Sequence, residues 1–195
     1  MTAKTDIRVR VLARRRSLTA EACAAAAGQV QAHLADLVQR RRPGRMTGYV
    51  PVGSEPGGSD LPEVMVAALA GAGELLLPVL RADLDLDWAA YPGPGALVAT
   101  GRGMREPAGK RWGVEAVAAA ELVVVPALAV DQRGIRLGRG GGSYDRALAR
   151  VGAGTLTVAL LHDGELVESL PAEAHDRPVD AVITAGGGFC RLPLS

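Results

Sequence analysis

Aromatic residues are scarce in this sequence, whose 195 residues include two Trp, three Tyr and one Phe. Because 48% of the residues are nonetheless hydrophobic, we expect a sizeable core built mainly from Ala, Val and Leu. The scarcity also argues against a single-stranded nucleic-acid platform, on which bases stack against closely spaced rings.

Cysteines and long apolar runs are also few. Cys23 and Cys190 lie far apart without the spacing of metal ligands, and we expect both to be buried bystanders. No apolar stretch reaches the roughly 18–20 residues of a membrane span, and the N-terminal sequence has no apolar core followed by a cleavage site. Together these absences predict a reduced, cytoplasmic protein with no membrane partner.

Charge is nearly balanced overall, with a formal net value of +1, but it is unevenly distributed. Residues 1–45 contain ten Lys or Arg residues against three acids, whereas the rest of the chain contains twelve against eighteen. Such a basic arm is suited to nucleic acid, a membrane surface or a phosphorylated small molecule. For the arginine runs 14–16 and 40–42 we favour the simpler interpretation of a solvated helix face.

Helical and strand patterns alternate along the chain. Helices are predicted over 4–16, 17–42 (with Thr19 as the N-cap), 60–73 and 143–151. Strands are predicted over 46–52, 74–80, 86–91, 121–130, 155–161 and 179–185, and a long Gly- and Pro-rich loop over 91–110. This order predicts one three-layer α/β/α domain over 1–195 with a mainly parallel central sheet, on which residues 1–45 pack as a basic helical arm.

The most distinctive segment is RLGRGGGSYDRALAR, residues 136–150. Its glycines permit positive φ and let backbone N–H groups approach a ligand without an intervening Cβ. At the start of a helix such groups attract phosphate, and Arg136 and Arg139 add charge-assisted hydrogen bonds. The string matches neither the P-loop nor a convincing GxGxxG pattern, so the glycines alone leave a linker and a phosphate cradle open. The flanking strand, helix and arginines favour the cradle.

Four charged residues allow two interpretations each. Asp145 either offsets the helix dipole or supplies a carboxylate to Mg²⁺ beside bound phosphate. Lys4 and Arg8 are four residues apart and share a helix face, so they either reach one polyphosphate or remain solvated. Glu55 follows a predicted strand, where α/β sheets bind ligands, but alone it would be an ordinary loop acid.

The segment VPALAVDQRGIRLGRGGGSYDRALAR, residues 125–150, resembles the signature region of the 5-formyltetrahydrofolate cyclo-ligase family, also called 5,10-methenyltetrahydrofolate synthetases. Four more segments resemble the family's other blocks in the same order: KTDIR at 4–8, YVPVGSE at 49–55, MREPAG at 104–109 and PAEAHDRPVDAVIT at 171–184. Each block is weakly specific by itself, but the five in order cover essentially the whole chain. The resemblance implies an enzyme that uses ATP and Mg²⁺ to convert 5-formyltetrahydrofolate to 5,10-methenyltetrahydrofolate through phosphorylation of the formyl oxygen, releasing ADP and phosphate.

The resemblance also implies roles for individual residues. The implied ATP contacts are Lys4, Arg8, Arg136, Leu137, Gly138, Arg139, Gly140, Gly141, Gly142, Ser143 and Tyr144. The implied folate contacts are Val50, Glu55, Arg139, Gly140, Gly141, Gly142 and Ser143, and the implied Mg²⁺ ligands are Asp145 and Asp176. Arg136, Arg139 and Asp145 are expected to take part in catalysis.

Two positions depart from the family pattern, because Ser143 and Arg102 stand where aromatic residues are usual. Such rings would pack near the flat folate ring system, so a folate- or nucleotide-binding homologue without turnover is the first alternative. A nucleic-acid-binding protein that uses the basic arm is the second. His175 is assigned no chemistry. The expected partner is a reduced formyl folate rather than nucleic acid, and the expected state is a monomer or a homodimer.

Overall fold

The computed structural model describes residues 3–173 and 176–194, except for the side chain of Arg102. The α-helices are α1 (Ala3–Arg16), α2 (Ala20–Arg41), α3 (Leu61–Leu69) and α4 (Ser143–Leu148). The strands are β1 (Arg45–Thr47), β2 (Glu74–Leu80), β3 (Leu86–Ala90), β4 (Leu97–Ala99), β5 (Arg105–Pro107), β6 (Leu122–Pro126), β7 (Ala129–Asp131), β8 (Arg136–Leu137), β9 (Leu156–Leu160), β10 (Leu166–Val167), β11 (Ala181–Thr184) and β12 (Gly188–Arg191). Two 3-10 helices cover Gly101–Gly103 and Val114–Ala119.

Seven strands form the central sheet in the order β12-β11-β9-β6-β1-β2-β3. The five inner strands are parallel, and β3 and β12 pair antiparallel at the two edges. The sheet is therefore mainly parallel, as predicted. A smaller sheet of order β10-β7-β8 and the hairpin β4-β5 lie outside it.

Apolar side chains fill both faces of the central sheet, as its near-continuous hydrophobic strands require. On β6, Leu122 and Val124 pack into the core beneath α2 and α3, whereas Val123 and Val125 belong to the core on the opposite face. That second core is closed by the 3-10 helix Val114–Ala119 and by α4. Helices α2 and α3 on one face, the sheet, and the 3-10 helix with α4 on the other face make the three layers of the predicted α/β/α fold.

Helix α2 begins where the sequence predicts. The Thr19 hydroxyl accepts a hydrogen bond from the Ala22 N–H, which satisfies one of the donors left free by the first turn. The helix ends at Arg41, where Arg42 adopts a left-handed conformation and its N–H still bonds to Val38. Arginines 40–42 are exposed, which confirms the solvated face expected for that run.

The predicted strand 121–130 is wrong as a single element. It divides into β6 and β7, which belong to different sheets. Pro126 has no N–H with which to extend the ladder of β6. Beyond it the Leu128 N–H donates to the carbonyl oxygen of Leu137 at 2.8 Å, so the chain pairs with β8 instead.

The stretches 91–110 and 46–52 also differ from expectation. The first contains the hairpin β4-β5, in which Leu97 pairs with Pro107, rather than an uninterrupted loop. Its short pairing segments are hidden in the sequence by the surrounding Gly and Pro residues. In the second, the strand ends at Thr47, and the chain then leaves the sheet to form part of a cavity wall.

Helix α1 carries apolar residues at helical spacing, and Ile7, Val11 and Leu12 pack against the core of the small sheet. The solvated face predicted for arginines 14–16 is wrong for Arg15, which is 2% exposed. Its guanidinium is buried because Glu165 provides the counter-charge, with Nη2 and Oε2 separated by 2.7 Å. Arg16 is exposed.

Both cysteines keep part of their surface in solvent, so the prediction that they are buried is wrong. Cys190 lies on the edge strand β12, where one side of the strand has no neighbour. They are free thiols. Among the helices of residues 3–173 and 176–194, none combines the length and the apolar character needed to cross a bilayer.

Candidate active site

A cavity of about 520 Å³ opens at the carboxyl ends of the parallel strands. Chain segments that follow β1 and β6 form two of its walls, with Val50 on the first and Ala127 on the second. Residues of α1, of the glycine-rich loop and of the start of α4 complete it. This edge of an open α/β sheet is the usual place for a ligand site.

The cavity brings together every site residue predicted from the sequence. Its lining includes Lys4, Arg8, Val50, Glu55, Arg136, Leu137, Gly138, Arg139, Gly140, Gly141, Gly142, Ser143, Tyr144, Asp145 and Asp176. They come from four separated blocks of the chain, and Met104 of the fifth block also lines the cavity. Their individual binding roles remain predictions. His175 and the side chain of Arg102 lie outside the described residues.

The glycine-rich loop connects β8 to α4 and needs glycine at particular points. Gly140 and Gly142 have φ values of 103° and 69°, a region that residues with a Cβ rarely adopt. Gly142 is also the N-cap of α4. Gly138 is required for a different reason, because a Cβ there would lie 2.8 Å from Nη1 of Arg136.

Arg136 is the most enclosed cation of the loop, with a side chain that is 3% exposed. Its Nη1 donates to the carbonyl oxygen of Pro126 at 3.1 Å, and its Nη2 donates to Oδ1 of Asp145 at 2.7 Å. The guanidinium also lies 5.8 Å from the centre of the Tyr144 ring. Its Nε is buried without a hydrogen-bond partner in the described structure. The side chain is thus held in place while one donor is unsatisfied.

Asp145 and Asp176, the predicted Mg²⁺ ligands, each face a cationic side chain. Asp145 accepts from Arg136, and Asp176 accepts from Nζ of Lys4 at 2.8 Å. No group of three or more His, Cys, Asp and Glu side chains is assembled to hold a metal among residues 3–173 and 176–194. One or two carboxylates in a phosphate-binding cavity are nevertheless what Mg²⁺ needs when phosphate oxygens and water complete its shell. The donor set therefore fits a metal that arrives with a phosphorylated ligand.

Helix α1 directs Lys4 and Arg8 to the cavity from one face. Arg8 donates through Nε to the carbonyl oxygen of Gly138 at 2.9 Å, which joins the helix to the glycine-rich loop. Lys4 pairs with both Asp176 and Glu173. Burial lowers the pKa of Lys4, but the hydrogen bonds to Asp176 and Glu173 outweigh it and raise the pKa above the usual 10.5. The ammonium group is consequently charged at neutral pH.

Glu55 stands in the loop that follows β1. Its Oε1 accepts from Nε of Arg139 and its Oε2 from the N–H of Val52, both at 3.0 Å. The carboxylate side chain is 12% exposed, whereas that of Arg139 is 54% exposed and can turn toward a ligand. Burial and, second, the charge of Glu55 raise the pKa of Tyr144, so that phenol is neutral.

Sequence reasoning missed several cavity residues, among them Arg15, Tyr49 and Glu106. Arg15 lines the cavity and pairs with Glu165, but its sequence neighbours Arg14 and Arg16 made it look like part of a solvated run. Tyr49 is fully enclosed, its hydroxyl donates to the carbonyl oxygen of Pro56 at 2.6 Å, and burial raises its pKa well above 10. Glu106 accepts from the N–H of Leu80 and belongs to the matched segment 104–109, which was the available signal.

Comparison with known proteins bears on this cavity. The model of the 5-formyltetrahydrofolate cyclo-ligase family matches residues 1–185. The chain is 39% identical to a 5-formyltetrahydrofolate cyclo-ligase of Mycolicibacterium smegmatis over an alignment of 195 positions that covers 97% of each protein. It is also 45% identical to the Escherichia coli protein of the same name over 65 residues, 33% of this chain and 36% of that protein.

Two solved structures have a similar fold. The fold is similar to that of a 5,10-methenyltetrahydrofolate synthetase of Aquifex aeolicus, with a TM-score of 0.80 and 28% identity, over 100% of this chain and 95% of that one. A 5,10-methenyltetrahydrofolate synthetase of Mycoplasma pneumoniae shares the fold with a TM-score of 0.73 over 94% of this chain and 99% of that one. At 14% identity this second likeness bears on the fold alone.

Proposed function

Because this chain belongs to the 5-formyltetrahydrofolate cyclo-ligase family, we propose that its cavity binds ATP and 5-formyltetrahydrofolate side by side and cyclises the folate. The supporting observation is the convergence of the matched blocks on one cavity. Cations from α1 and from the glycine-rich loop form one part of the lining, and the carboxylate of Glu55 belongs to another. This distribution suits a polyphosphate beside a ring system that carries N–H donors.

The proposed reaction has two bond-making steps. The formyl oxygen attacks the γ-phosphorus of ATP, and the bond from that phosphorus to the bridging oxygen of ADP breaks. The neighbouring amine then attacks the formyl carbon and releases its proton to solvent, and phosphate leaves with the former formyl oxygen as the five-membered ring of 5,10-methenyltetrahydrofolate closes. Phosphorylation is needed because the oxygen of a formyl amide is a poor leaving group. The protein must therefore align two ligands and stabilise charge, rather than supply a nucleophile of its own.

We assign the phosphate side to Lys4, Arg8 and the loop 136–144. The fixed position of the Arg136 guanidinium in the cavity wall supports this assignment, since Pro126 and Asp145 hold it and a cation held in place binds phosphate with little rearrangement. Backbone N–H groups of the loop add donors that approach closely because glycine has no Cβ. Arg139 is exposed enough to exchange its contact with Glu55 for one with the transferred phosphoryl group.

We assign the folate side to Glu55, Val50 and the part of the loop that faces them. The Glu55 carboxylate is already oriented by the N–H of Val52, so it can accept hydrogen bonds from ring N–H groups with little rearrangement. Tyr144 supplies aromatic surface in the same cavity, and the enclosed Tyr49 supports the wall behind it. Tyr144 offers apolar contact to the folate although Ser143 does not.

We further propose that Asp145 and Asp176 hold Mg²⁺ when it enters with the phosphates. The ion would neutralise charge that develops on the phosphoryl oxygens. The protein's own contribution is to keep both carboxylates ionised at the cavity wall, next to Arg136 and Lys4. The free thiols of Cys23 and Cys190 suit a cytoplasmic enzyme, and we propose that it acts on small molecules as a monomer or homodimer.

The test is direct. Purified protein is mixed with Mg-ATP and 5-formyltetrahydrofolate, and the methenyl product is followed by its absorbance, with ATP omitted from one control and Mg²⁺ from another. We expect product only in the complete mixture, with release of ADP. Binding of folate and ATP without product would instead support the homologue without turnover. Tight, steeply salt-dependent binding to DNA or RNA would support the nucleic-acid alternative.

A further inference from the structure

Arg15 joins α1 to the rest of the protein through a buried ion pair. Its Nε and Nη2 donate to Oε1 and Oε2 of Glu165 at 2.8 and 2.7 Å, and the two side chains are 1% and 2% exposed. Oε2 of Glu165 also accepts from the N–H of His162 at 2.9 Å, which fixes the carboxylate's orientation. A paired, bidentate arrangement of this kind determines position as well as charge.

The same guanidinium reaches the connection between β6 and β7. Nη2 of Arg15 donates to the carbonyl oxygen of Ala127 at 2.6 Å. The preceding carbonyl oxygen, that of Pro126, accepts from Nη1 of Arg136 at 3.1 Å. Two arginines, one from α1 and one from the glycine-rich loop, are thus held by adjacent carbonyl groups of a single short connection.

Helical geometry aligns Arg15 with the two cavity cations of α1. At about 100° per residue, positions 4, 8 and 15 fall within roughly 40° of one another around the helix axis. All three side chains line the cavity. A shift or rotation of α1 at Arg15 is therefore transmitted along the same face to Arg8 and Lys4, about two and three helical turns away.

We propose that Arg15 is a positioning residue for ATP, which fixes Lys4 and Arg8 relative to Arg136 through Glu165 and Ala127. This role rests on the proposed function, because it concerns the phosphate side of that site. Arg15 acts through other residues, since its own side chain is 1% exposed and is hydrogen-bonded to protein groups. Misplacement of the cations weakens ATP binding while the folate side, formed by Glu55 and Val50, keeps its geometry.

The principal test is Arg15→Lys, which keeps the charge but cannot make the bidentate contact and the Ala127 contact together. We expect the KM for ATP to rise about tenfold, with kcat changed by less than about threefold and the KM for 5-formyltetrahydrofolate by less than about twofold. A purely structural defect would lower the active fraction and leave both KM values unchanged.

The control for the loss of these contacts is Arg133→Lys. Arg133 makes two hydrogen bonds to Oδ2 of Asp131 and one to the carbonyl oxygen of Leu170, but its side chain is 56% exposed and it is not among the cavity-lining residues. We expect both KM values to stay near those of the parent protein. An equal rise in the KM for ATP in the two variants would overturn the positioning role of Arg15.

A second variant, Arg15→Met with Glu165→Met, removes both charges and avoids an unpaired buried ion, so the fold has the best chance to persist. It should show the same selective rise in the KM for ATP. Unchanged kinetics in this folded variant would contradict the proposal.

Hydrogen exchange separates this proposal from the proposed function. In the protein without ligands, Arg15→Lys should accelerate exchange of the α1 amides by about fivefold or more relative to Arg133→Lys, because the helix is fastened less firmly. Equal exchange in the two variants would overturn the proposal even if the parent protein formed no methenyl product. A parent protein without product but with accelerated α1 exchange in Arg15→Lys would contradict only the proposed function.

Discussion

Arg136 and Asp145 are joined by a 2.7 Å hydrogen bond within the wall of the cavity, one residue on β8 and the other in the first turn of α4. The glycine-rich loop spans the chain between them, so this contact closes the loop into a ring. Each side chain offsets the other's charge, and the carboxylate also lies where the positive end of the α4 dipole favours it. The geometry of the loop therefore depends on this pair as well as on its glycines.

Gly138→Ala tests that dependence. The new methyl group would lie 2.8 Å from Nη1 of Arg136, which has little room to move because it is 3% exposed. We expect the KM for ATP to rise about tenfold as the arginine is displaced. Gly141→Ala is the comparison, since its methyl group would meet only Oγ of Ser143, at 3.6 Å. A rise as large in Gly141→Ala would show that any Cβ added to the loop hinders ATP, and would contradict a specific dependence on the position of Arg136.

Removing the cations themselves should have a larger effect. Arg8→Ala and Arg136→Ala should each cost about 1.5–3 kcal/mol of phosphate interaction, as for other hydrogen bonds to charged groups. This corresponds to a rise of about 10- to 150-fold in the dissociation constant of ATP, measured by calorimetric titration. Unchanged ATP affinity in both variants would remove these residues from the phosphate site. Urea unfolding of each variant, carried out in parallel, reports any loss of stability.

Asp145→Asn separates a metal ligand from a helix-terminal charge. The amide keeps the size of the side chain and an oxygen for Arg136, but it binds Mg²⁺ more weakly than a carboxylate. We expect the Mg²⁺ concentration at half-maximal rate to rise by about fivefold or more, and the free energy of unfolding to fall by about 1.5–3 kcal/mol, because Asp145 is also the counter-charge of the buried Arg136. An unaltered Mg²⁺ response would leave Asp145 with only its structural contacts to Arg136 and α4.

The sequence predicts local features better than it predicts contacts between distant segments. Thr19 caps α2 because capping depends on residues within one turn, and such a signal is visible in the sequence. The division at Pro126 depends on a competing partner, β8, about ten residues away, so the apolar run alone does not reveal it. Arg15 is the clearest case, since its burial depends on Glu165, a counter-charge 150 residues along the chain. The cavity residues were identified chiefly through the family resemblance, because spacing alone left most of them with two interpretations.

Asp85, in the turn between β2 and β3, makes stability depend on pH. Two hydrogen bonds from Arg150 are the main cause that lowers its pKa below the usual 3.8, while burial opposes the shift. A carboxyl group whose pKa is lower in the folded state stabilises the protein above the pKa of the unfolded chain. That stabilisation is lost as the pH falls through the lower, folded-state value. The ion pair of Asp85 and Arg150 connects the turn between β2 and β3 to the segment that follows α4.

Asp85→Asn should therefore lower the free energy of unfolding by about 1.5–3 kcal/mol at neutral pH, the range for hydrogen bonds to charged groups. In urea titrations the difference from the parent protein should shrink as the pH falls below the usual pKa of 3.8 and through the lower folded-state value, since both proteins then carry a neutral side chain at this position. Asp36→Asn is the matched control, because Asp36 pairs with Arg40 on the exposed surface of α2 and should contribute much less. A difference between Asp85→Asn and the parent that stayed constant down to the lowest pH would mean that the side chain acts through its shape and hydrogen bonds rather than through its charge.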